Sequence, residues 1–227
     1  MLTITGNKLQ GINLLRYTHF IFDWNGTLMN DLWLAVDVID KMLMKRGLQG
    51  MSINKYCEVF DFPVKDYYER IGFDFDKESF EVVGTEFVFE YDKRQYECEL
   101  HIGAKDLLRN LSRMPLQLSV LSARVQHALE ENLDHYGIYN HFMHIAGLDD
   151  HFAFGKLDAG IELLNKTNIP KGDTILFGDT LHDAEVAKEL GIDCILIASG
   201  HHSKLRLLQA NVPVLETLAD VQEILMA

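Results

Sequence analysis

The sequence predicts an α/β fold: a doubly wound parallel (Rossmann-like) sheet carrying an inserted α-helical cap. Three observations predict it. Short apolar runs recur along the chain, each ending on a polar or small residue. Amphipathic helical periods alternate with them, the pattern of crossover helices covering both faces of a parallel sheet. One long stretch, residues 31–102, breaks the alternation with mostly helical pattern, so the core is expected from residues 1–30 and 103–227.

His19-Phe20-Ile21-Phe22 runs into Asp23 and reads as the first buried strand. Leu34 to Arg46 then carries Leu34, Val38, Ile39, Met42 and Leu43 at helical spacing. Thr85 to Tyr91 alternates like a strand, but its surroundings are helical and helix is the expectation there. Back in the core, Lys105–Arg113 reads as helix, Leu116–Leu121 as a strand running into Ser122, and Gln126–Tyr136 as helix. Phe142–Ala146 is a strand ending at Gly147, and Leu157–Lys166 a helix. Thr174–Phe177 is a strand delivering Gly178-Asp179. Asp183–Leu190 is a helix with Ala184, Ala187 and Leu190 on one face and Gly191 placed to end it. Ile192–Ala198 is a last strand before Ser199-Gly200. Ligands of such sheets bind beyond the carboxyl ends of the strands near the switch point. Asp23, Ser122 and Asp179 would gather there.

Composition narrows the function. Of 227 residues, 48% are hydrophobic and 24% charged, the balance of a globular chain with a sizeable core. A net charge of −13 leaves no basic stripe to displace counterions, which excludes nucleic acid and anionic membranes as expected partners. An acidic protein that handles phosphate needs local positive charge instead, from a metal ion and a few placed lysines. Cys57, Cys98 and Cys194 form no CxxC spacing, and Cys194 sits in an apolar run as a small hydrophobe. No secretory signal or membrane span is expected, and a cytoplasmic location is. Oligomeric state is not encoded legibly.

Four elements carry chemistry. In Phe22-Asp23-Trp24-Asn25-Gly26-Thr27-Leu28, a carboxylate at a strand end can attack phosphorus and form an aspartyl-phosphate, with Gly26 turning the chain away. In Gly178-Asp179-Thr180-Leu181-His182-Asp183, two carboxylates four apart can converge on one hard cation, and Mg²⁺ favours such oxygen donors. Lys156, opening a helix, can neutralise a phosphoryl oxygen and the nucleophile together. Ser122, followed by Ala123-Arg124, offers a hydroxyl and backbone N–H as a small phosphate cradle. Singly, each also suits a turn, a helix start or a solvated surface position.

Together, in chain order, they read Asp-x-x-Gly-Thr-Leu, strand-Ser, Lys, then Gly-Asp-x-x-x-Asp. That order resembles the haloacid dehalogenase-like superfamily from Phe20 to Gly200, and the helical insertion is similar to the cap of its phosphoglycolate phosphatase-like branch. The resemblance implies a Mg²⁺-dependent phosphatase acting on a small phosphorylated metabolite. Asp23 would be nucleophile and metal ligand, with the Asn25 backbone carbonyl, Asp179 and Asp183 completing the Mg²⁺ site. Ser122, Ala123, Thr27 and Lys156 would hold the phosphoryl group.

One departure bears on activity. Relatives carry a second aspartate where this chain has Asn25, and an amide cannot protonate a leaving oxygen or take a proton from water. Losing a general acid/base typically costs ~10²–10⁴ in rate, against total accelerations of up to ~10²¹ for phosphate monoesters. A substrate with a good leaving group, or a nearby histidine such as His182 or His101, could compensate. The alternative reading is a catalytically weak or inactive phosphate-ester-binding regulatory protein. Leu157 replaces a common proline, with small consequence. His141, His144, His151, His201 and His202 match no metal-binding spacing. Tyr67, Tyr68, Arg70 and Arg94 are possible cap contacts. No lysine among Lys41, Lys45, Lys55 and Lys65 has the context of a phosphonate hydrolase's Schiff base.

Overall fold

The computed structural model describes residues 12–149 and 155–226. The core strands are β1 His19–Phe22, β4 Gln117–Val125, β5 His144–Leu148, β6 Thr174–Gly178, β7 Asp193–Ile197 and β8 Val214–Leu215. They form one parallel sheet in the order β5-β4-β1-β6-β7-β8. Pleating sends alternate residues to opposite faces, and the apolar runs are continuous because both faces are covered. Phe20, Phe22, Leu118, Val120, Ile175 and Phe177 join one core cluster with α5 Ala104–Leu111, α6 Gln126–His135 and α10 Leu218–Met226. Ile21, Leu121, Leu176, Cys194 and Leu196 join the other with α7 Lys156–Thr167, α8 Leu181–Leu190 and α9 Lys204–Leu207. The doubly wound expectation holds. β8 was not anticipated, since a two-residue edge strand carries too little pattern to read.

Strand β1 is central, with β4 on one side and β6 on the other. The order of strands reverses about it, so a crevice opens beyond its carboxyl end. β4 runs further than expected, to Val125, and its register with β5 shifts between Leu121 and Val125. That irregularity re-aims the backbone around Ser122. Helix α8 starts on a reciprocal cap: the Thr180 side chain accepts from the Asp183 N–H while the Asp183 carboxylate accepts from the Thr180 N–H. Gly191 ends it at φ +71°, as its position after Leu190 predicted.

Between β1 and β4 the chain forms a short antiparallel pair, β2 Met29–Asn30 with β3 Glu99–Leu100, and four helices between those strands. They are α1 Leu32–Lys45, α2 Ile53–Val59, α3 Val64–Arg70 and α4 Phe80–Asp92. Ser52 and Ser79 cap α2 and α4 by accepting backbone N–H groups. The Thr85–Tyr91 stretch lies inside α4, as expected from its context. These helices are tied to the core: Arg206 donates to the Phe60 carbonyl at 2.5 Å, and Arg124 to Asp92 at 2.7 Å. Among the described residues no helix is long and apolar enough to cross a membrane.

Candidate active site

The end of β1 delivers Asp23 to the crevice, and the end of β6 delivers Asp179 beside it. Asp183 reaches the same point from the first turn of α8. One carboxylate oxygen from each lies within 4.8 Å of the others, and all three residues are buried. Lys156, at the start of α7, donates to Asp23 Oδ1 at 2.5 Å and to Asp183 Oδ1 at 2.6 Å. Lys156 thus pairs with two of the three carboxylates and leaves Asp179 to other partners, and burial and charge together set their protonation. Burial pushes Asp23 up to about 8 against the pull of Lys156, with Asp183 and Asp179 adding repulsion. Burial likewise raises Asp179 to about 6. Burial would also raise Asp183, but Lys156 and the Thr180 hydroxyl outweigh it and hold it down at about 2. Lys156 stays charged, its two carboxylate partners overcoming its own burial.

Asp179 is oriented from both sides: Thr27 Oγ1 donates to Oδ1 at 2.8 Å and the His201 backbone N–H to Oδ2 at 2.6 Å. Thr27, expected from the sequence at the phosphate, is placed beside the carboxylate cluster. Its hydroxyl is engaged by Asp179 and the residue does not line the cavity. Gly26 sits at φ +76°, where a Cβ would meet Asp179 Oδ2 at 2.2 Å. Only glycine permits that turn. Ser122 and Ala123 line the cavity, and Ser122 Oγ accepts from the Arg124 N–H at 3.1 Å.

Asn25 has defined partners. Its amide donates to Asp31 Oδ2 at 2.8 Å and lies 2.8 Å from the Tyr91 hydroxyl. Asp31 also accepts from Tyr91 at 2.7 Å and from the Gly26 N–H at 2.8 Å, and pairs with His201 Nε2 at 3.2 Å. Burial opposes both charges, but each sustains the other: Asp31 is held down at about 2 and His201 up at about 9. The Tyr56 hydroxyl meets His201 Nδ1 at 3.1 Å.

A match to the haloacid dehalogenase-like hydrolase family model spans residues 20–197. The chain belongs to that family. A phosphoglycolate phosphatase of Pseudomonas fluorescens is similar at 21% identity over 190 residues, 80% of this chain and 70% of that protein. The tyrosine-protein kinase PtkA of Mycobacterium tuberculosis is 25% identical over 183 residues. The alignment covers 80% of this chain but only 62% of that relative's length. A structure of a predicted phosphatase from Clostridium acetobutylicum superposes with a TM-score of 0.79 at 20% identity, over 93% of this chain and 99% of that one. At that identity the superposition shows the fold.

Within this haloacid dehalogenase-like hydrolase, sequence reasoning missed the set Asp31, Tyr91 and Tyr56, and read His201 only as matching no metal-binding spacing. The two histidines named as acids sit elsewhere. His101 Nε2 is 3.0 Å from the Gly26 carbonyl, and His182 stacks on Phe62 at 4.6 Å between centroids. Neither lines the cavity. His141 contacts Ser112, while His151 lies outside the described residues. Tyr67 and Tyr68 are buried cavity residues, whereas Arg70 and Arg94 are engaged by Asp61, Asp37 and Glu97. The three cysteines are buried and free.

Proposed function

We propose that this chain is a Mg²⁺-dependent phosphatase that hydrolyses a small phosphorylated metabolite through an aspartyl-phosphate on Asp23. The observation that carries this reading is the convergence of the Asp23, Asp179 and Asp183 carboxylates at the switch point of the sheet, with Lys156 bound to two of them. The donors are all hard oxygens, and the raised Asp23 and Asp179 mark negative charge left uncompensated by protein groups alone. Such a site fits Mg²⁺. Asp23, Asp179, Asp183 and the Asn25 backbone carbonyl would hold it, and the ion would offset negative charge on the phosphoryl oxygens.

The protein's own groups divide the remaining work. Lys156 and the Ser122–Ala123 segment hold the phosphoryl group against the end of β1. An Asp23 carboxylate oxygen attacks phosphorus, the bond from phosphorus to the leaving oxygen breaks, and the leaving group departs with that electron pair. Water then attacks phosphorus, the bond to Asp23 breaks, and phosphate leaves. Lys156, donating to Asp23 Oδ1, aims that carboxylate for attack and receives its charge again when the bond to phosphorus breaks. Asn25 transfers no proton, so the chemistry favours esters or acyl phosphates whose oxygen departs readily. Residues 31–102 act as the cap, closing over the crevice and limiting water.

The fixed Asn25 amide also supports a second reading, a phosphate-ester binder with little turnover. Phosphate release from a panel of small phosphoesters and acetyl phosphate, with Mg²⁺ and with chelator, separates the two. Mg²⁺-dependent release that disappears in Asp23→Ala is the expected result. Mg²⁺-dependent binding without release would favour the binder.

A further inference from the structure

The crevice above Asp23 continues into a cavity of about 210 Å³ under α1–α4. Its cap wall is aromatic: Tyr56, Phe60, Tyr67, Tyr68, Phe87 and Tyr91 all line it. Among the described residues, the cations that reach it are Lys156, Arg124 and His201, and each already faces an acid: Asp23 and Asp183, Asp92, and Asp31 respectively. A second anionic group on a substrate would therefore leave water for an apolar wall with no unpaired charge to receive it. An aromatic ring would not. For scale, an engineered apolar cavity of ~150 Å³ takes up benzene.

Two details point the same way. Gly84 lies inside α4, where glycine costs a helix ~1 kcal/mol relative to alanine. Packing does not require it, since a Cβ there would have no atom within 4 Å. It lines the cavity, and its missing side chain keeps that space open. Tyr67 is 1% exposed and lines the cavity, and its hydroxyl has no hydrogen-bond partner. A buried hydroxyl without a partner costs stability unless a ligand satisfies it.

We propose that the substrate is a phosphate monoester with an aromatic leaving group carrying one polar substituent, the ring against the tyrosine wall and the substituent on the Tyr67 hydroxyl. This rests on the phosphatase reading for the phosphoryl end, and the aromatic cavity supplies the rest. An aryl oxygen departs more readily than an alkyl one, which suits a site with Asn25 in place of an acid.

The test measures calorimetric binding of stable phosphonates to the full chain with Mg²⁺, alongside turnover of acetyl phosphate and phenyl phosphate. Benzylphosphonate is expected to bind ~10–100-fold tighter than methylphosphonate, the effect of burying one phenyl group. Gly84→Leu, which favours the helix and fills the cavity, should erase that preference. A 4-hydroxyl on the ring should tighten binding by ~2–10-fold, the effect of one added hydrogen bond, and Tyr67→Phe should remove only that gain. Equal affinities for the two phosphonates, or tightest binding by the carboxylate-bearing phosphonoacetate, would overturn the proposal. The acetyl phosphate arm isolates the underlying reading. Asp23-dependent turnover with equal phosphonate affinities removes the aromatic substrate alone. Aromatic preference without turnover of either acetyl phosphate or phenyl phosphate upholds the cavity and removes the phosphatase.

Discussion

Replacing Asn25 by aspartate restores the side chain usual in relatives, yet the structure predicts harm rather than repair. The half-buried Asn25 amide lies 2.8 Å from Oδ2 of the buried Asp31, and Asp31 is already neutralised once by His201. A carboxylate there loses a hydrogen bond to a charged acceptor, typically ~1.5–3 kcal/mol. Two ionised carboxylates at that separation repel by ~6 kcal/mol at an effective dielectric of ~20. Protonation is the cheaper escape: holding a proton on an ordinary carboxyl costs ~5 kcal/mol at pH 7.5 and ~1.5 kcal/mol at pH 5. A carboxyl–carboxylate hydrogen bond returns part of this, leaving a net loss of ~2–4 kcal/mol at pH 7.5. The introduced carboxyl has a raised folded-state pKa, so the variant's deficit grows as pH rises from 5 to 7.5. Urea unfolding of Asn25→Asp at both values measures it, and phosphate release should not increase. Exchanging the pair, Asn25→Asp with Asp31→Asn, restores one amide against one carboxylate and should recover most of the stability. A single variant as stable as the parent at pH 7.5, and faster, would refute the reasoning.

Asp23 and Asp179, at about 8 and about 6, both lie above the unfolded carboxylate value, so the folded chain without cation binds extra protons and loses stability as pH rises from about 4 to 8. Mg²⁺ needs both ionised, so the rise in melting temperature on adding it should grow from pH 5 to pH 8; a flat or shrinking increment contradicts this. Lys156→Met leaves Asp23 and Asp183 buried without their cation and should cost about 3–5 kcal/mol above pH 8, where both are ionised, and less at pH 6, where Asp23 holds a proton; denaturant titration at those two pH values checks it. Gly200→Ala places a Cβ 2.1 Å from Asp179 Oδ2 and 2.5 Å from its Cβ. It should therefore abolish the Mg²⁺-induced rise in melting temperature while circular dichroism stays unchanged.

Much of this was legible in the sequence because the relevant forces are local. A strand buried on both faces writes a continuous apolar run, and His19–Phe22 and Thr174–Phe177 were placed to within a residue. Asp23 and Asp179 follow those runs directly, so their convergence needed only the topology. The Asp31–His201–Tyr91 network was not legible. Its members are separated by 60 and 170 residues and meet only when the inserted helices close on the crevice. The signals that could have found it were Asn25 itself, an amide needing a partner, and a carboxylate six residues on. The bond from the Thr27 hydroxyl to Asp179 was likewise hidden, because spacing gives proximity but not direction. The aromatic wall was hidden similarly: Tyr67 and Tyr68 were legible only as possible cap contacts, and their packing on Tyr56, Phe60 and Phe73 depends on how the cap helices meet. β8 depends on pairing with β7, a contact that two residues cannot announce.

The proposed chemistry stands or falls on whether Asp23 carries the phosphoryl group. Incubating the chain with Mg²⁺ and acetyl phosphate, quenching with acid and mapping peptides by mass spectrometry tests it most directly. The expected product is a phosphorylated Asp23 that borohydride converts to homoserine, absent with chelator. Phosphate release with no adduct on Asp23, and undiminished in Asp23→Ala, would contradict it.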